Sequence, residues 1–169
     1  QTQLLIQLKI VFNLKKKINA IYLVPPLGAR GLNDMKLGIA FSAFDLLHAG
    51  HIKMLEEAKR QCDYLIVGLQ TDPTLDRPEK NRPVQTVVER YIQLKGCKFV
   101  DEIVPYATEQ DLEDILRSFK IDERIVGDEY REQNFTGRMY CEAKGIELYF
   151  NTRDQRFSSL GLGREVHQK

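Results

Sequence analysis

The fold is decided by the stretch from Phe44 to His51, which reads Phe-Asp-Leu-Leu-His-Ala-Gly-His. It joins a segment of alternating apolar residues to a strongly helical segment, so a strand is expected to turn into a helix here. His48 and His51 stand three apart around Gly50. Backbone N–H groups at a helix start attract anions, and histidines there add to that attraction. The stretch therefore predicts a phosphate-binding turn.

Two other kinds of site are less well supported by the sequence: a zinc site and a glycine-rich nucleotide-binding loop. A zinc site needs a third and a fourth ligand, but the remaining histidine, His167, lies near the C-terminus and no cysteine is close in sequence. The Gly-x-Gly-x-x-Gly dinucleotide fingerprint and the P-loop are both absent after the first strand. The pattern therefore favours nucleotide chemistry over metal binding, and no residue is assigned as a metal ligand.

Composition predicts one ordinary globular domain. The chain has 169 residues, of which 43% are hydrophobic and 29% charged, enough to build a core. Its net charge of +1 gives no sign of a nucleic-acid partner, and no apolar run is long enough to span a membrane. The scattered Cys62, Cys97 and Cys141 are typical of reduced thiols, so we expect a cytoplasmic protein.

The chain divides into an N-terminal extension, residues 1–35, and a regular domain, residues 36–169. Lys15–Lys17 follow the apolar part of the extension, which is the reverse of a signal peptide. Pro25, Pro26 and nearby glycines indicate a linker before Met35, where a natural start would fit. Two interpretations stay open: a non-native or non-catalytic extension, or an accessory arm for packing or dimerisation.

From Lys36 onward, strand and helix patterns alternate. Strands are predicted at residues 37–41, 64–69, 99–104, 124–127 and 146–150. Helices are predicted at residues 51–61, from the capping box at Thr86, at 108–119, at 135–144 and, in short form, within 158–167. Such alternation predicts an α/β fold: a Rossmann-like three-layer sandwich with a central five-stranded parallel sheet.

Every candidate site segment directly follows a predicted strand. These segments are residues 44–51, 71–83, 127–129 and 153–159. Parallel sheets bind ligands outside the carboxyl ends of their strands, near the point where strand order reverses. We therefore expect the four segments to converge on one site.

The stretch from Phe44 to His51 resembles the HxGH signature of the cytidylyltransferase-like nucleotidyltransferases. The resemblance extends from Lys36 to about Arg164, and the chain resembles the bacterial glycerol-3-phosphate cytidylyltransferases most. Besides the HxGH stretch, the segments that carry it are, in order, Asp63–Val67 with Thr71-Asp72, Glu89-Arg90, Val100–Pro105, Val126–Glu129, and Arg153 followed by Ser158-Ser159.

The resemblance implies the reaction NTP + R-phosphate → NDP-R + pyrophosphate. The second pKa of a phosphate monoester is about 6, so the acceptor is already ionised near neutral pH and needs no general base. Catalysis then consists of positioning and of stabilising negative charge on the α-phosphoryl group and the leaving pyrophosphate. Mg²⁺ is expected with the nucleotide, and related enzymes imply a homodimer.

By resemblance, four residues are candidate catalytic groups: His48, His51, Lys80 and Arg153. The histidines would contact the phosphate chain, and Arg153 would grip the triphosphate. Lys80 best matches the mobile phosphate lysine of the family. Because the loop lengths differ, Arg77 or Arg82 is the alternative, and a plain solvated turn is the other interpretation.

Candidate nucleotide-binding residues flank the same strand ends. They are Ser42, Ala43, Phe44, Asp45, Gly50, Gly127, Asp128, Glu129, Ser158 and Ser159. The two late serines either bind phosphate at the start of the last helix or simply cap it. Asp45 either faces Mg²⁺ or orients backbone or a lysine. Arg90 and Asp101 match recurring family positions, but a buried or interfacial ion pair explains them equally well.

One departure from the family concerns Ser42 and Ala43, where relatives commonly have Gly-Thr. Glycine permits close backbone approach to a nucleotide, so the change bears on nucleotide preference and rate.

Three functions are considered from the sequence as a whole. The first transfers CMP from CTP to a small phosphorylated alcohol, glycerol 3-phosphate above all. The alternatives are an adenylyltransferase acting on a sugar 1-phosphate, of the heptose-phosphate type, and a non-catalytic nucleotide-binding regulator.

Overall fold

The computed structural model describes residues Met35 to Thr152. The predicted extension up to residue 34, the last helix, Arg153, Ser158 and Ser159 lie outside these residues. The described strands are β1 (Leu37–Ser42), β2 (Tyr64–Gln70), β3 (Glu102–Tyr106), β4 (Glu123–Gly127) and β5 (Glu147–Asn151). The described helices are α1 (Ala49–Gln61), α2 (Val87–Lys95), α3 (Glu109–Ser118) and α4 (Arg138–Lys144), with 3-10 turns at Pro73–Leu75 and Asp128–Tyr130.

The five strands form one parallel sheet in the order β3-β2-β1-β4-β5, which confirms the predicted sheet. At its carboxyl edge, Ser42 of β1 lies beside Leu69 of β2, and Gly127 of β4 lies beside Asn151 of β5. The direction of winding reverses between β1 and β4. This is the topological switch point at which open α/β sheets bind ligands.

Two apolar cores, one on each face, make the molecule a three-layer sandwich. On one face, helices α1 and α2 bury Leu55, Ala58 and Leu94 against Leu65 and Val67. The other face is packed by α3 and α4, and its core includes Leu112, Ile115, Leu116 and Cys141 with Ile39 and Ile66. The predicted layering is confirmed.

Three elements have boundaries that differ from the predictions by two or more residues. Helix α1 begins at Ala49, because His48 caps it. Strand β3 runs from Glu102 through Pro105 to Tyr106, later than predicted; it is an edge strand, where proline is tolerated. Helix α4 begins three residues after Phe135, because Gly137 takes a left-handed φ of 78°.

Capping fixes the starts of α2 and α3 as the sequence predicts. The hydroxyls of Thr86 and Thr108 accept the backbone N–H of Glu89 and Asp111, whose carboxylates return the contact. Among residues 35–152, no helix combines the length and apolar character needed to cross a membrane.

Candidate active site

The turn that connects β1 to α1, residues 43–48, has an unusual backbone. Phe44 and Leu46 both have φ of 49°, a left-handed conformation that bulky residues rarely adopt. The Phe44 side chain is only 1% exposed and belongs to the core beneath α1. Such a conformation persists only where its surroundings hold it, so the contacts around this β1–α1 turn explain how it is maintained.

His48 is the N-cap of α1, with extended backbone angles of φ −135° and ψ 175°. Its Nδ1 accepts the backbone N–H of Gly50 at 3.0 Å. An accepting Nδ1 carries no proton, so the ring is neutral and Nε2 is its donor. The candidate catalytic histidine therefore also defines where the helix starts.

The two histidine rings lie against each other. Their centroids are 4.1 Å apart with an interplanar angle of 29°, and the ring of His51 also lies 5.5 Å from that of Phe44. The first turn of α1 contains no acidic residue. The positive end of the helix dipole is therefore not neutralised from within the helix, which suits an anion.

Asp45 ties the β1–α1 turn to the entrance of α2. Its Oδ2 accepts the backbone N–H of Val84 at 2.8 Å, and its Oδ1 accepts that of Gln85 at 2.9 Å. The side-chain carbonyl of Gln85 in turn accepts the backbone N–H of Leu46 at 2.9 Å. Of the roles considered for Asp45, the orientation of backbone is the one that these contacts display.

Arg90 is the deepest charged group near the turn, with 2% of its surface exposed. Its guanidinium donates to the backbone carbonyls of Ala43 (2.7 Å), Gln70 (2.7 Å), Thr71 (2.6 Å) and Gln85 (3.1 Å). One side chain thus fastens the ends of β1 and β2 to the start of α2. Burial lowers its pKa, while the negative charges of Asp45 and Asp72 raise it.

Arg90 and Asp101, for which an ion pair was one interpretation, differ in the contacts that they make. Arg90 makes carbonyl contacts instead, because its position under three chain segments offers carbonyl oxygens rather than a carboxylate. Asp101 does form an ion pair: its Oδ2 lies 2.5 Å from Nζ of Lys59 and also accepts the N–H of Leu65 at 2.7 Å. Both roles are structural.

The loop between β2 and α2 contains the three candidate phosphate cations. Arg77 pairs with Glu109 at 2.8 Å, and Arg82 pairs with Asp72 at 3.3 Å. Lys80 is exposed, and within residues 35–152 no carboxylate forms a salt bridge with it. Lys80 is therefore the loop cation that can meet a phosphate without first giving up an acidic partner.

The end of β4 places Gly127 opposite β1 across the switch point. A side-chain Cβ at Gly127 would collide with the carboxylate of Glu129, so glycine is needed for Glu129 to fold back over the strand end. Asp128 is exposed and accepts Nε and Nη2 of Arg131 at 2.9 and 2.7 Å. Asp128 is thus already held by a cation.

Ser42 contributes a side-chain hydroxyl that glycine would lack, whereas Ala43 contributes a backbone carbonyl that threonine would also supply. The Ser42 hydroxyl accepts the backbone N–H of Phe44 at 3.4 Å, and the Ala43 carbonyl accepts Arg90. Neither residue has a positive φ. The backbone here therefore does not require glycine, and the departure from the family leaves the shape of the turn intact.

The structure brings the predicted residues at the ends of β1 and β4 to one edge of the sheet, with the Lys80 loop following β2. The sequence reasoning missed Val84 and Gln85, whose only signal was their place just before the Thr86 capping box. It also missed Asn151, which ends β5 beside Gly127.

The donor set is compatible with Mg²⁺ that arrives with a nucleotide. Each oxygen of Asp45 accepts one backbone N–H, and a carboxylate oxygen has room for a second partner. Mg²⁺ prefers carboxylate and phosphate oxygens and retains several waters. Asp45 would be the protein ligand, directly or through water, so its two predicted roles are compatible.

Comparison with known proteins identifies the family. A cytidylyltransferase-like family model matches residues 39–146. The bifunctional protein HldE of Caulobacter sp. strain K31 is 38% identical over 119 residues, which cover 70% of this chain and 24% of that protein. HldE of Pseudomonas aeruginosa strain UCBPP-PA14 is 31% identical over 135 residues, or 79% of this chain and 28% of that protein. The chain belongs to the cytidylyltransferase-like family of nucleotidyltransferases.

Solved structures agree with this assignment. The lipopolysaccharide core biosynthesis protein of Thermoplasma volcanium superposes with a TM-score of 0.57 at 26% identity, covering 71% of this chain and 97% of that one. Pantothenate synthetase of Thermus thermophilus shares the fold alone, with a TM-score of 0.50 and 12% identity over 80% of this chain and 59% of that one. The chain spans about a quarter of the length of the HldE relatives. Special closeness to the glycerol-3-phosphate enzymes stays a prediction.

Proposed function

We propose that this protein transfers a nucleotidyl group from a nucleoside triphosphate to a phosphorylated sugar and releases pyrophosphate. The observation that carries the proposal is the stacked pair His48–His51 at the acid-free start of α1, placed at the switch point of a cytidylyltransferase-like sheet. Both features select for a phosphate chain.

Adenylyl transfer to a sugar 1-phosphate is the reaction best supported. The relatives include HldE proteins, and the similar solved structures include a lipopolysaccharide core biosynthesis protein. A lipopolysaccharide core is built of sugars, and sugars enter such polymers as nucleotide-activated donors. This is the second of the three functions considered from the sequence.

The reaction requires positioning more than acid–base chemistry. An oxygen of the acceptor phosphate forms a bond to the α-phosphorus, and the bond from that phosphorus to the pyrophosphate oxygen breaks. The electron pair leaves with pyrophosphate, and no proton has to be taken from the acceptor. The protein must therefore hold two polyanions in line and stabilise the charge that moves onto the leaving group.

Each of the described site residues has its own role in this proposed reaction. The Nε2–H of His48 and the ring of His51 face the phosphate chain as hydrogen-bond donors, and the backbone N–H groups of α1 add to them. Lys80 approaches from its loop as a mobile positive charge. Asp45 and Arg90 keep the β1–α1 turn in its left-handed shape. When bound, Mg²⁺ supplies neutralising charge for the triphosphate.

A second candidate is CMP transfer from CTP to glycerol 3-phosphate. It is supported by the ordered segments that resemble the glycerol-3-phosphate enzymes, such as Val126–Glu129. A non-catalytic regulator has less support, because the histidine pair and the contacts around Asp45 are all in place.

One assay separates these functions. Purified full-length protein with Mg²⁺ is supplied with each of four NTPs and a panel of sugar 1-phosphates and phosphorylated alcohols, and pyrophosphate release is measured. Turnover with ATP and a sugar 1-phosphate supports the proposal. Turnover with CTP and glycerol 3-phosphate alone supports the second candidate, and nucleotide binding without turnover on any acceptor supports the regulator.

The proposal includes a cytoplasmic homodimer. Exposed apolar side chains support self-association: Val88 and Ile92 lie one turn apart on α2 and are 62% and 64% exposed, and Val84, which precedes the helix, is 78% exposed. Apolar rows of this kind on a surface are typical of protein interfaces. Light scattering of the full chain and of Val88→Asp tests the dimer, which the variant should weaken.

A further inference from the structure

Asn151 is a buried amide at the carboxyl edge of the sheet. It is the last residue of β5, lies opposite Gly127 in register and is 1% exposed. Its Nδ2 donates to the backbone carbonyl of Met54 in α1 at 3.1 Å. This contact fixes the orientation of the amide, because the flipped form would set two carbonyl oxygens against each other.

The other half of this amide lacks a partner within the part of the chain that the structure describes. Oδ1 of Asn151 is buried, and no donor within the described residues 35–152 reaches it. Buried polar groups are nearly always hydrogen-bonded, so an orphaned carbonyl oxygen calls for an explanation. An oxygen of this kind can only accept, so whatever satisfies it must bring an N–H or an O–H.

The neighbours of Asn151 narrow the chemistry of that donor. The carboxylate of Glu129 folds over Gly127, the register partner of Asn151, so another acceptor oxygen lies near the adjacent strand end. Two acceptor groups at neighbouring strand ends disfavour a phosphate and favour a neutral group rich in donors. Met54, whose carbonyl holds the amide, follows His51 by three residues on α1, so the amide contacts this helix within one turn of the predicted phosphate site.

We propose that Oδ1 of Asn151 accepts a hydrogen bond from the nucleoside part of the bound nucleotide, and that it thereby helps select the nucleotide. The donor is a neutral N–H or O–H group, supplied either by an exocyclic amino group of the base or by a ribose hydroxyl. The inference rests on the proposed function, since it requires a nucleotide at this edge. It assigns Asn151 a specificity role.

Equilibrium binding to the full chain with Mg²⁺ tests the assignment without requiring turnover. ATP is compared with ITP, and CTP with UTP, because the second member of each pair replaces the amino group with a carbonyl. The 2′-deoxy and 3′-deoxy forms of ATP test the ribose. We expect removal of the relevant donor to weaken binding to the native chain roughly tenfold. The pair of nucleotide and analogue whose affinities differ identifies the donor.

Substitutions distinguish a role of Asn151 in nucleotide selection from a purely structural role, in which its amide only links β5 to α1. Asn151→Leu keeps the branched shape of the side chain and loses both amide functions, so it should bind each nucleotide and its donor-deficient partner within twofold of one another. Asn151→Asp keeps an acceptor oxygen and should retain the preference at lower overall affinity. Tyr149→Phe is the matched control: the Tyr149 hydroxyl donates to Glu57 of α1 at 2.7 Å, so this variant removes another β5–α1 tether and should keep the full preference.

Two results would overturn the inference. The first is a native chain that binds every analogue equally well. The second is an Asn151→Leu variant that keeps the native preference, since the amide would then be only a tether. If no nucleotide binds the native chain at all, the proposed function itself fails. If Asn151→Leu does not fold, the analogue series on the native chain and on Asn151→Asp decides the question: loss of the preference in Asn151→Asp would then overturn the inference.

Discussion

Gln85 is hydrogen-bonded to Asp45 and, in the opposite direction, to the following residue Leu46 across the site. The Asp45 carboxylate accepts the backbone N–H of Gln85 at 2.9 Å, while the side-chain carbonyl of Gln85 accepts the N–H of Leu46 at 2.9 Å. The contact joins the β1–α1 turn, whose left-handed residues need support, to the segment that follows the Lys80 loop. The geometry of the turn and the far anchor of the loop are therefore coupled.

Replacing Asp45 with asparagine should disrupt this coupling. The new NH₂ group would face the backbone N–H of Val84 or Gln85, and a hydrogen bond to a charged acceptor is worth roughly 1.5–3 kcal/mol. We expect a loss of about tenfold or more in kcat, with a lower melting temperature. Asp114→Asn, on the exposed surface of α3, is the control. Activity of Asp45→Asn within twofold of the native rate would contradict the coupling.

His48 combines capping with its proposed contact to phosphate, and two substitutions separate these roles. Asparagine is a good N-cap, so His48→Asn should keep native stability but lose at least tenfold in kcat. His48→Ala should lose the cap as well, at a cost of about 1 kcal/mol in the free energy of unfolding. Urea denaturation and steady-state kinetics measure the two effects. Equal activity of His48→Asn and the native chain would exclude the phosphate role.

His51 lies within α1 rather than at its cap, so its removal should affect catalysis more than folding. Loss of a donor of the oxyanion-hole type costs roughly 10²–10³-fold in kcat, and we expect that range for His51→Ala. Pyrophosphate release under saturating substrate provides the measurement. A loss of less than fivefold would remove His51 from the catalytic role.

Among the loop cations, Lys80 should matter most to turnover. Lys80→Met should lower kcat at least tenfold, because a charge that stabilises the leaving pyrophosphate is removed. Arg77→Met and Arg82→Met are matched comparisons, since each of these arginines is already paired with a carboxylate, and each should stay within about threefold. A larger loss at either arginine than at Lys80 would reverse the assignment.

The capping box of α2 predicts a pH dependence of stability. Hydrogen bonds from the Thr86 hydroxyl and backbone lower the pKa of Glu89 below its ordinary value of 4.5. A lowered folded pKa stabilises the native state above that ordinary value, and the stabilisation is lost as the pH falls through the folded pKa. The difference in melting temperature between the native chain and Glu89→Gln should therefore be positive at pH 6 and shrink towards pH 3. A difference independent of pH would contradict this reading.

The sequence predicted the parts of this molecule that depend on local pattern. Alternating strands and helices gave the sheet and its layers, and the threonine-acid spacing at Thr86 and Thr108 gave two helix starts. Pro105 misled the prediction because proline ends most strands, whereas here β3 lies at the edge of the sheet. Gly137, through its left-handed backbone, delays the start of α4 to Arg138.

The sequence could not predict which residues far apart in the chain contact each other. Gln85 follows Asp45 by 40 residues, and nothing in either segment specifies the other. Arg90 stood out as a family position, but its carbonyl partners come from three separate segments that only the folded sheet assembles. The role proposed for Asn151 could not be predicted for the same reason, because it rests on an oxygen that no donor reaches within residues 35–152.

The guanidinium of Arg90 donates to the backbone carbonyls of Thr71 and Gln85. The loop between these two residues therefore leaves the sheet and returns to it at fixed points. Its two ends stay fixed whatever its length, and the entropy of closing a loop grows only slowly as residues are added. Evolution can lengthen, shorten or replace this loop while the histidine pair stays in place. The same property would allow the loop to be exchanged between members of the family without disturbing the histidine pair.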